Sequence, residues 1–289
     1  MPELSPLQKA FAGLDPSSAP SSHTRVWDSL YRDSFHPWDR QAPSLALADL
    51  LLQRTDLVPP AQDFDPRGSP LRSETGAVLR RTALVPGCGL GHDALLLASF
   101  GYDVWALDSS PMGIDLAKEN EKAAEQKGLY KAQDGFDKGR VHWVVADFFA
   151  DDWAQGAGTD GSGQFDLIFD YTFLCALPVD MRPQWAQRIA SLIGSRSRLV
   201  CLEFPSGKPL SEPGPPWGVN PEVYEALLAA PGDPIQYDPS GDGSVVSIPS
   251  AKPRDDAIHR LSLIKPLRTH PAGTAENGTV RDFISVWSR

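Results

Sequence analysis

What this chain has little of narrows its class before any motif is read. It carries three cysteines in 289 residues, Cys88, Cys175 and Cys201, odd in number and scattered. That pattern excludes a disulfide framework and the paired spacing of a metal site; two of the three sit in or beside apolar runs, as small buried hydrophobes of a reducing compartment do. No uninterrupted apolar stretch approaches the roughly 20 residues that a membrane helix needs. The opening residues Met1-Pro2-Glu3-Leu4-Ser5-Pro6 lack a basic segment followed by an apolar one, so no secretory signal is expected. Asn277-Gly278-Thr279 matches a glycosylation acceptor, and without such a signal it is read as chance. Lys/Arg clusters are also missing, and the net charge of −10 disfavours binding to a phosphate backbone. These absences lead us to expect a soluble, cytoplasmic protein with no nucleic-acid or membrane partner.

Apolar and charged fractions are ordinary for a globular domain, and 289 residues can bury a large core. Pro and Gly are plentiful and concentrate in a few stretches, which points to long loops on a compact scaffold. Residues 1–23 are polar and Pro/Ser-rich and are read as a flexible N-terminus. Residues 24–57 show helical spacing in two pieces, and 58–76 form a Pro/Gly/Asp/Ser linker. From there the pattern alternates. Strands are expected at Leu84-Val85, Val104 to Leu107, Val141 to Val145, Phe165 to Phe169 and Arg198 to Phe204. Helices are expected over Asp93 to Phe100, Met112 to Lys127 and Arg182 to Ile193. Such alternation builds a parallel sheet covered by helices. A later helix has Asn220 as its expected cap and Pro221 in its first position. The runs His259 to Leu267 and Val280 to Trp287 then close the chain as an antiparallel hairpin on the sheet edge.

The most informative stretch is Ala83-Leu84-Val85-Pro86-Gly87-Cys88-Gly89-Leu90-Gly91-His92-Asp93, an apolar strand that breaks into a glycine turn and enters a helix. Asp108 ends the next strand, about 20 residues on, where a carboxylate is suited to hold two ribose hydroxyls. An adenosine-type cofactor follows from this pair. The turn alone does not choose between a nicotinamide dinucleotide and S-adenosylmethionine, since Gly89-x-Gly91-x-x-Ala94 also fits the dinucleotide pattern.

Other residues tilt the choice. Asp147-Phe148-Phe149 ends the third strand, where an acid and a ring can serve adenine. Asp170-Tyr171-Thr172-Phe173 ends the fourth, where the reacting end of the cofactor would lie. Trp27 and Tyr31 are one helical turn apart, with Trp38 past a proline turn, so all three fall on one side of a lid that could present rings to a sulfonium. His36, His92 and His142 are the candidate bases, each more simply read as a surface or packing residue. Cys88 is read as packing, and no Tyr-x-x-x-Lys hydride-transfer pair stands out.

The run Phe165-Asp166-Leu167-Ile168-Phe169-Asp170-Tyr171-Thr172-Phe173-Leu174-Cys175-Ala176 resembles the halide/thiol methyltransferases within the thiopurine S-methyltransferase family. So do Leu84 to Gly89, Asp147 to Phe149, Met181 to Ala186, the Trp27…Tyr31…Trp38-Asp39 segment and the Gly214-Pro215-Pro216-Trp217-Gly218-Val219 loop. The likeness runs from about residue 24 to 230 and resumes weakly in the last strands.

The resemblance implies a Rossmann-like class I methyltransferase: a mostly parallel, seven-stranded α/β sheet with an antiparallel C-terminal hairpin and an N-terminal helical lid. It implies one domain over residues 1–289, with a lid at 24–57, a cofactor core at 77–205 and substrate-side loops from 206. By that resemblance S-adenosylmethionine is bound with Trp27, Tyr31 and Trp38 closing over it. Gly87 and Gly89 lie at the turn, Asp108 on the ribose, Asp147 and Phe148 at the adenine, and Tyr171 near the methionine end as a positioning residue.

The implied acceptor is a thiol, hydrosulfide, thiocyanate or halide. The alternatives are a larger metabolite methylated at O, N or S, and an NAD(P)-binding oxidoreductase or non-catalytic nucleotide binder. The chain departs from the family at Tyr31, where plant members carry Trp, at Gln41 in place of Gly, and at Leu45 in place of Pro. Its 231–258 stretch is longer and richer in proline than theirs.

Overall fold

The computed structural model describes residues 3–14, 20–158, 161–246 and 254–289. Five parallel strands form the centre: β1 Thr82–Pro86, β2 Asp103–Asp108, β3 Val141–Val145, β4 Phe165–Tyr171 and β5 Ile193–Glu203. Two more close the chain, β6 His259–Ile264 and β7 Phe283–Ser288, and the sheet order is β3-β2-β1-β4-β5-β7-β6. β7 runs antiparallel to both neighbours and separates β5 from the edge strand β6. The expected mostly parallel, seven-stranded sheet with an antiparallel C-terminal hairpin is therefore present. Every residue of β1 is buried, the mark of a strand covered on both faces, whereas β6 alternates as an edge strand does. Leu84, Ile168 and Val200 have no exposed surface, and burying each such side chain stabilises the fold by about 1.5–3 kcal/mol.

The helices are α1 Pro6–Phe11, α2 Pro20–Arg32, α3 Leu45–Gln53, α4 His92–Ser99, α5 Pro111–Gln126, α6 Arg182–Leu192 and α7 Pro221–Ala229. α4 is buried from Ala94 to Ser99, which explains why its sequence shows little amphipathic contrast. α5 is capped by Ser110, whose hydroxyl accepts from the Gly113 N–H at 2.9 Å and donates to Asp28 of α2 at 2.7 Å. Asp28 also accepts from the Met112 N–H at 3.2 Å, so α2 is hydrogen-bonded to the start of α5. Similarly, Asp93 in the first turn of α4 accepts from the Ser44 N–H at 2.7 Å, tying down the start of α3.

Three expectations need correction. Part of the segment read as a flexible N-terminus is helix α1; residues 1–2 and 15–19 lie outside those described. Ser5 and Gln8 close a capping box, Phe11 is buried, and the Gln8 side chain donates to the Pro213 carbonyl at 2.7 Å. β5 begins at Ile193, straight from α6, rather than at Arg198. Asn220 is the N-cap residue of α7 with Pro221 behind it, as expected, but not through its side chain, whose Oδ1 accepts from the Gly207 N–H at 2.8 Å and pins the preceding loop. The closing strands are also shorter than their apolar runs suggested. Of the long 231–258 stretch, residues 247–253 lie outside the description. Gln41, standing where the family carries Gly, adopts φ 56°, in the left-handed region that favours glycine. Leu45 starts α3 behind the Ser44 cap, so losing proline there leaves the helix start intact.

Candidate functional site

A cavity of about 500 Å³ opens at the C-terminal ends of the parallel strands, where the order reverses between β1 and β4. This switch point is where open α/β sheets bind ligands. Gly87 follows β1 at φ 58°, and a Cβ built on it would run into the Phe173 ring from beyond β4. Only glycine lets the turn lie flat against that ring. Asp108 ends β2 at the cavity wall, 7 % exposed. Its Oδ2 accepts from the Gly89 N–H at 3.1 Å and its Oδ1 from the Ser110 N–H at 2.9 Å. Burial pushes this carboxyl above its usual range, with the N–H donors opposing. Lone pairs remain on both oxygens for hydroxyl donors.

Gly89 borders a separate, smaller space of about 60 Å³ beneath the turn. A Cβ on it would come 3.2 Å from the Tyr31 hydroxyl, so Tyr31 of α2 rests directly on the turn. Trp38 Nε1 donates to that hydroxyl at 3.3 Å and its ring meets Tyr31 edge-on at 5.3 Å. Trp27 packs edge-on against Trp38 at 4.9 Å. The three aromatic residues thus share one wall, facing Asp108 and Gly87. Phe11 of α1 backs Trp27 at 4.7 Å. At the end of β3, Asp147 is exposed at the cavity rim and accepts from the Phe149 N–H at 3.0 Å. Phe148 is buried beside it and meets Phe173 edge-on at 5.0 Å.

Residues 71–236 match the family model described as thiopurine S-methyltransferase. "Thiocyanate methyltransferase 1" of Brassica oleracea is 31 % identical over 71 % of this chain and 72 % of its own length. The Arabidopsis thaliana protein named "Probable thiol methyltransferase 2" is 30 % identical over 70 % of each chain. The chain belongs to the thiopurine S-methyltransferase family. It is an S-adenosylmethionine-dependent methyltransferase, and its cofactor is S-adenosylmethionine. A solved protein described as converting a disulfide bond into a thioacetal group during echinomycin biosynthesis shares the fold, with a TM-score of 0.51, 21 % identity and 92 % of each chain covered.

The residues of this methyltransferase fit that cofactor: a glycine turn that leaves its backbone bare, a carboxylate with lone pairs free toward the cavity, and rings on the facing wall. Among the described residues no group of His, Cys, Asp and Glu could hold a metal ion, and no helix is long and apolar enough to cross a membrane.

Tyr171, read as lying near the methionine end, borders the smaller space with Gly87 and Gly89. It is 8 % exposed and stacks on His270 at 5.7 Å. His270 Nε2 lies 3.1 Å from the Pro43 carbonyl, which can only accept, so Nε2 carries the hydrogen. Nδ1 is then the acceptor of the Tyr171 hydroxyl at 3.1 Å. Asp170 points into the core, accepting from Trp185 Nε1 at 2.8 Å and the Leu174 N–H at 3.1 Å; burial pushes it up to about 6.

Of the candidate bases, His142 stacks on Trp105 on the sheet and His92 pairs with Tyr130 and Asp39. His36 packs against Tyr31. Burial, followed by the Asp108 charge, pushes the Cys88 thiol well above its usual range, in keeping with its reading as a packing residue.

Sequence reading missed several wall residues: Arg40, Phe204, His23 and the segment Ser5 to Gln8 at the start of α1. The Ser5-x-x-Gln8 capping box was a readable signal for α1. Arg40 adjoins the quoted Trp38-Asp39 pair, but nothing local marks it as a wall residue.

Proposed function

We propose that this enzyme methylates a small sulfur or halide nucleophile, such as a thiol, hydrosulfide, thiocyanate or halide. The observation that carries the reading is the acceptor side of the cavity. Phe173, Phe204, Met181 and Pro216 line it, and among the described residues there no hydrogen-bonded acid–base pair is found. The names of the thiol and thiocyanate methyltransferase relatives support the same choice.

In this reading Gly87 and Gly89 form the cradle, Asp108 takes the ribose hydroxyls, and Asp147 and Phe148 take the adenine. Trp27, Tyr31 and Trp38 cover the cofactor, while Tyr171 steadies the floor from behind. S-adenosylmethionine, when bound, supplies a methyl carbon on a sulfonium; the acceptor's lone pair forms the new bond as the old bonding pair goes to sulfur. The walls exclude water from the nucleophile, which raises an anion's reactivity. A free thiol with a pKa near about 8.5 is already a few per cent thiolate at neutral pH, so no general base is required. The acceptor is a small molecule, and we read the enzyme as a cytoplasmic monomer.

A second reading, methylation of a larger metabolite at O, N or S, is favoured by one observation. A further cavity of about 780 Å³ shares Gln8, His23 and Pro178 with the first. A labelled-methyl assay against hydrosulfide, iodide, thiocyanate, aryl thiols and larger metabolites separates the two. Turnover of the small anions is expected. Turnover confined to large oxygen or nitrogen acceptors would overturn the proposal.

A further inference from the structure

Arg40 is a half-buried cation held at the cavity rather than at the open surface. It borders both the main cavity and the small space beneath the glycine turn. Its guanidinium lies over the Phe204 ring, 5.6 Å from the centroid, and reaches the Tyr171 hydroxyl. Its remaining bond is a long one, 3.4 Å, to the Pro37 carbonyl, and its Nε is buried with no hydrogen-bond partner. The nearest carboxylates are spoken for. Asp282 accepts from Thr269, and Asp39 accepts from the Gln41 N–H and faces His92. A guanidinium turned toward an apolar cavity with an unused donor is costly to keep dry unless an anion joins it.

The position says which anion. Phe204 follows β5 and Tyr171 ends β4, whereas Asp108 ends β2. With β1 and β4 between β2 and β5, and strands about 4.8 Å apart, Arg40 lies on the far side of the switch point from the ribose acid. We propose that Arg40 is the anion-binding residue of the acceptor site, selecting a nucleophile that arrives negatively charged. This deepens the function proposed above and rests on it. On a chain of net charge −10, a half-buried cation at the reacting end also offsets the repulsion such an acceptor would otherwise meet.

The chemistry sets the kinetic signature. The nucleophile's lone pair forms the bond to carbon, the electron pair of the broken bond goes to the sulfonium sulfur, and opposite charges cancel with no proton moved. Because the anion loses charge in the transition state, the guanidinium holds the ground state more strongly than the transition state. Removing it must therefore raise KM without lowering kcat.

The test uses thiocyanate as acceptor and S-adenosylhomocysteine as cofactor probe. Arg40→Met is expected to raise the thiocyanate KM at least tenfold, to leave kcat equal or higher, and to leave S-adenosylhomocysteine affinity within twofold. Arg40→Lys should fall between, and it carries the test alone should the methionine variant fail to fold. A tenfold loss of S-adenosylhomocysteine affinity with an unchanged thiocyanate KM would assign the guanidinium to the cofactor's carboxylate and overturn the inference.

Calorimetric titration of thiocyanate into the S-adenosylhomocysteine complex reads the same site without turnover. Wild-type binding that is lost in Arg40→Met supports the inference even if no small anion is methylated, in which case only the proposed acceptor falls. Equal binding by both proteins, or none by either, overturns it.

Discussion

Two buried carboxyls end two strands of the same sheet, Asp108 on β2 and Glu203 on β5, and their surroundings differ in kind. Asp108 is met by two backbone N–H groups from chain turns within reach of it and still opens on the cavity. Glu203 has no exposed surface, and neither oxygen has a partner in hydrogen-bond geometry. Burial pushes both above the usual range, Glu203 to about 7, with the nearby Ser285 hydroxyl and Arg260 opposing. The cofactor half of the site is thus assembled from backbone groups that satisfy their acid. The half we propose for the acceptor, at the ends of β4 and β5, is assembled from rings, prolines and one arginine brought from remote parts of the chain. The turn and its acid are polar and locally encoded, whereas the rings that face them, Trp27, Tyr31 and Trp38, and the proposed acceptor walls meet only once the chain is folded.

The strongest test of that contrast is at the glycine turn. Gly87→Ala places a Cβ against Phe173 in a left-handed conformation that L-residues avoid. Binding of S-adenosylhomocysteine measured by calorimetry should weaken more than a hundredfold; retention within threefold would mean the turn is no cradle.

Next comes Glu203→Gln, which probes the buried carboxyl at the end of β5. The folded state raises this carboxyl from 4.5 to about 7, so native protein binds the proton more tightly than the unfolded chain. The associated stability is full below about pH 4.5 and is lost as pH rises through about 7. Glutamine stays neutral, so the variant should gain on wild type above pH 5, by on the order of 2–3 kcal/mol at pH 8. Thermal melts at pH 5 and pH 8 check this: the wild-type midpoint should fall more between them, and parallel curves would count against a buried proton on Glu203.

Asp108→Ala is expected to be the mildest of the three. It leaves two ribose hydroxyls without their acceptor and should weaken S-adenosylhomocysteine binding at least tenfold, with the acceptor KM unchanged. An unaltered affinity would place the ribose elsewhere.

Much of the central sheet could be read from residues alone, because β1 and β2 are short, apolar and ended by a glycine turn and an acid. Val141–Val145 is found where it was expected, and Gly87, Asp108, Asp147 and the Trp27/Tyr31/Trp38 trio all border one cavity. The errors share a cause. Ile193 passes from α6 into β5 with no turn residue between, so nothing punctuates the boundary. The polarity of residues 1–23 masked a six-residue helix whose stability comes from Phe11 docking and the Gln8 contact with Pro213. Tyr171 was correctly placed at the end of a strand, but which face its hydroxyl takes depends on His270, 99 residues further on.

Local order was settled by the sequence itself. Alternating apolar runs and glycine stops specify a helix-covered parallel sheet, and a bare turn followed by a strand-end acid specifies an adenosine-type cofactor. These features act over a few residues, through backbone conformation and hydrogen bonds that neighbours in the chain supply. Tertiary structure alone decided the acceptor's surroundings. Arg40, Phe173, Phe204 and α1 meet only because α2 is hydrogen-bonded to the start of α5 and α1 reaches across to Pro213. An unpaired guanidinium has meaning only inside the apolar walls that those contacts build around it.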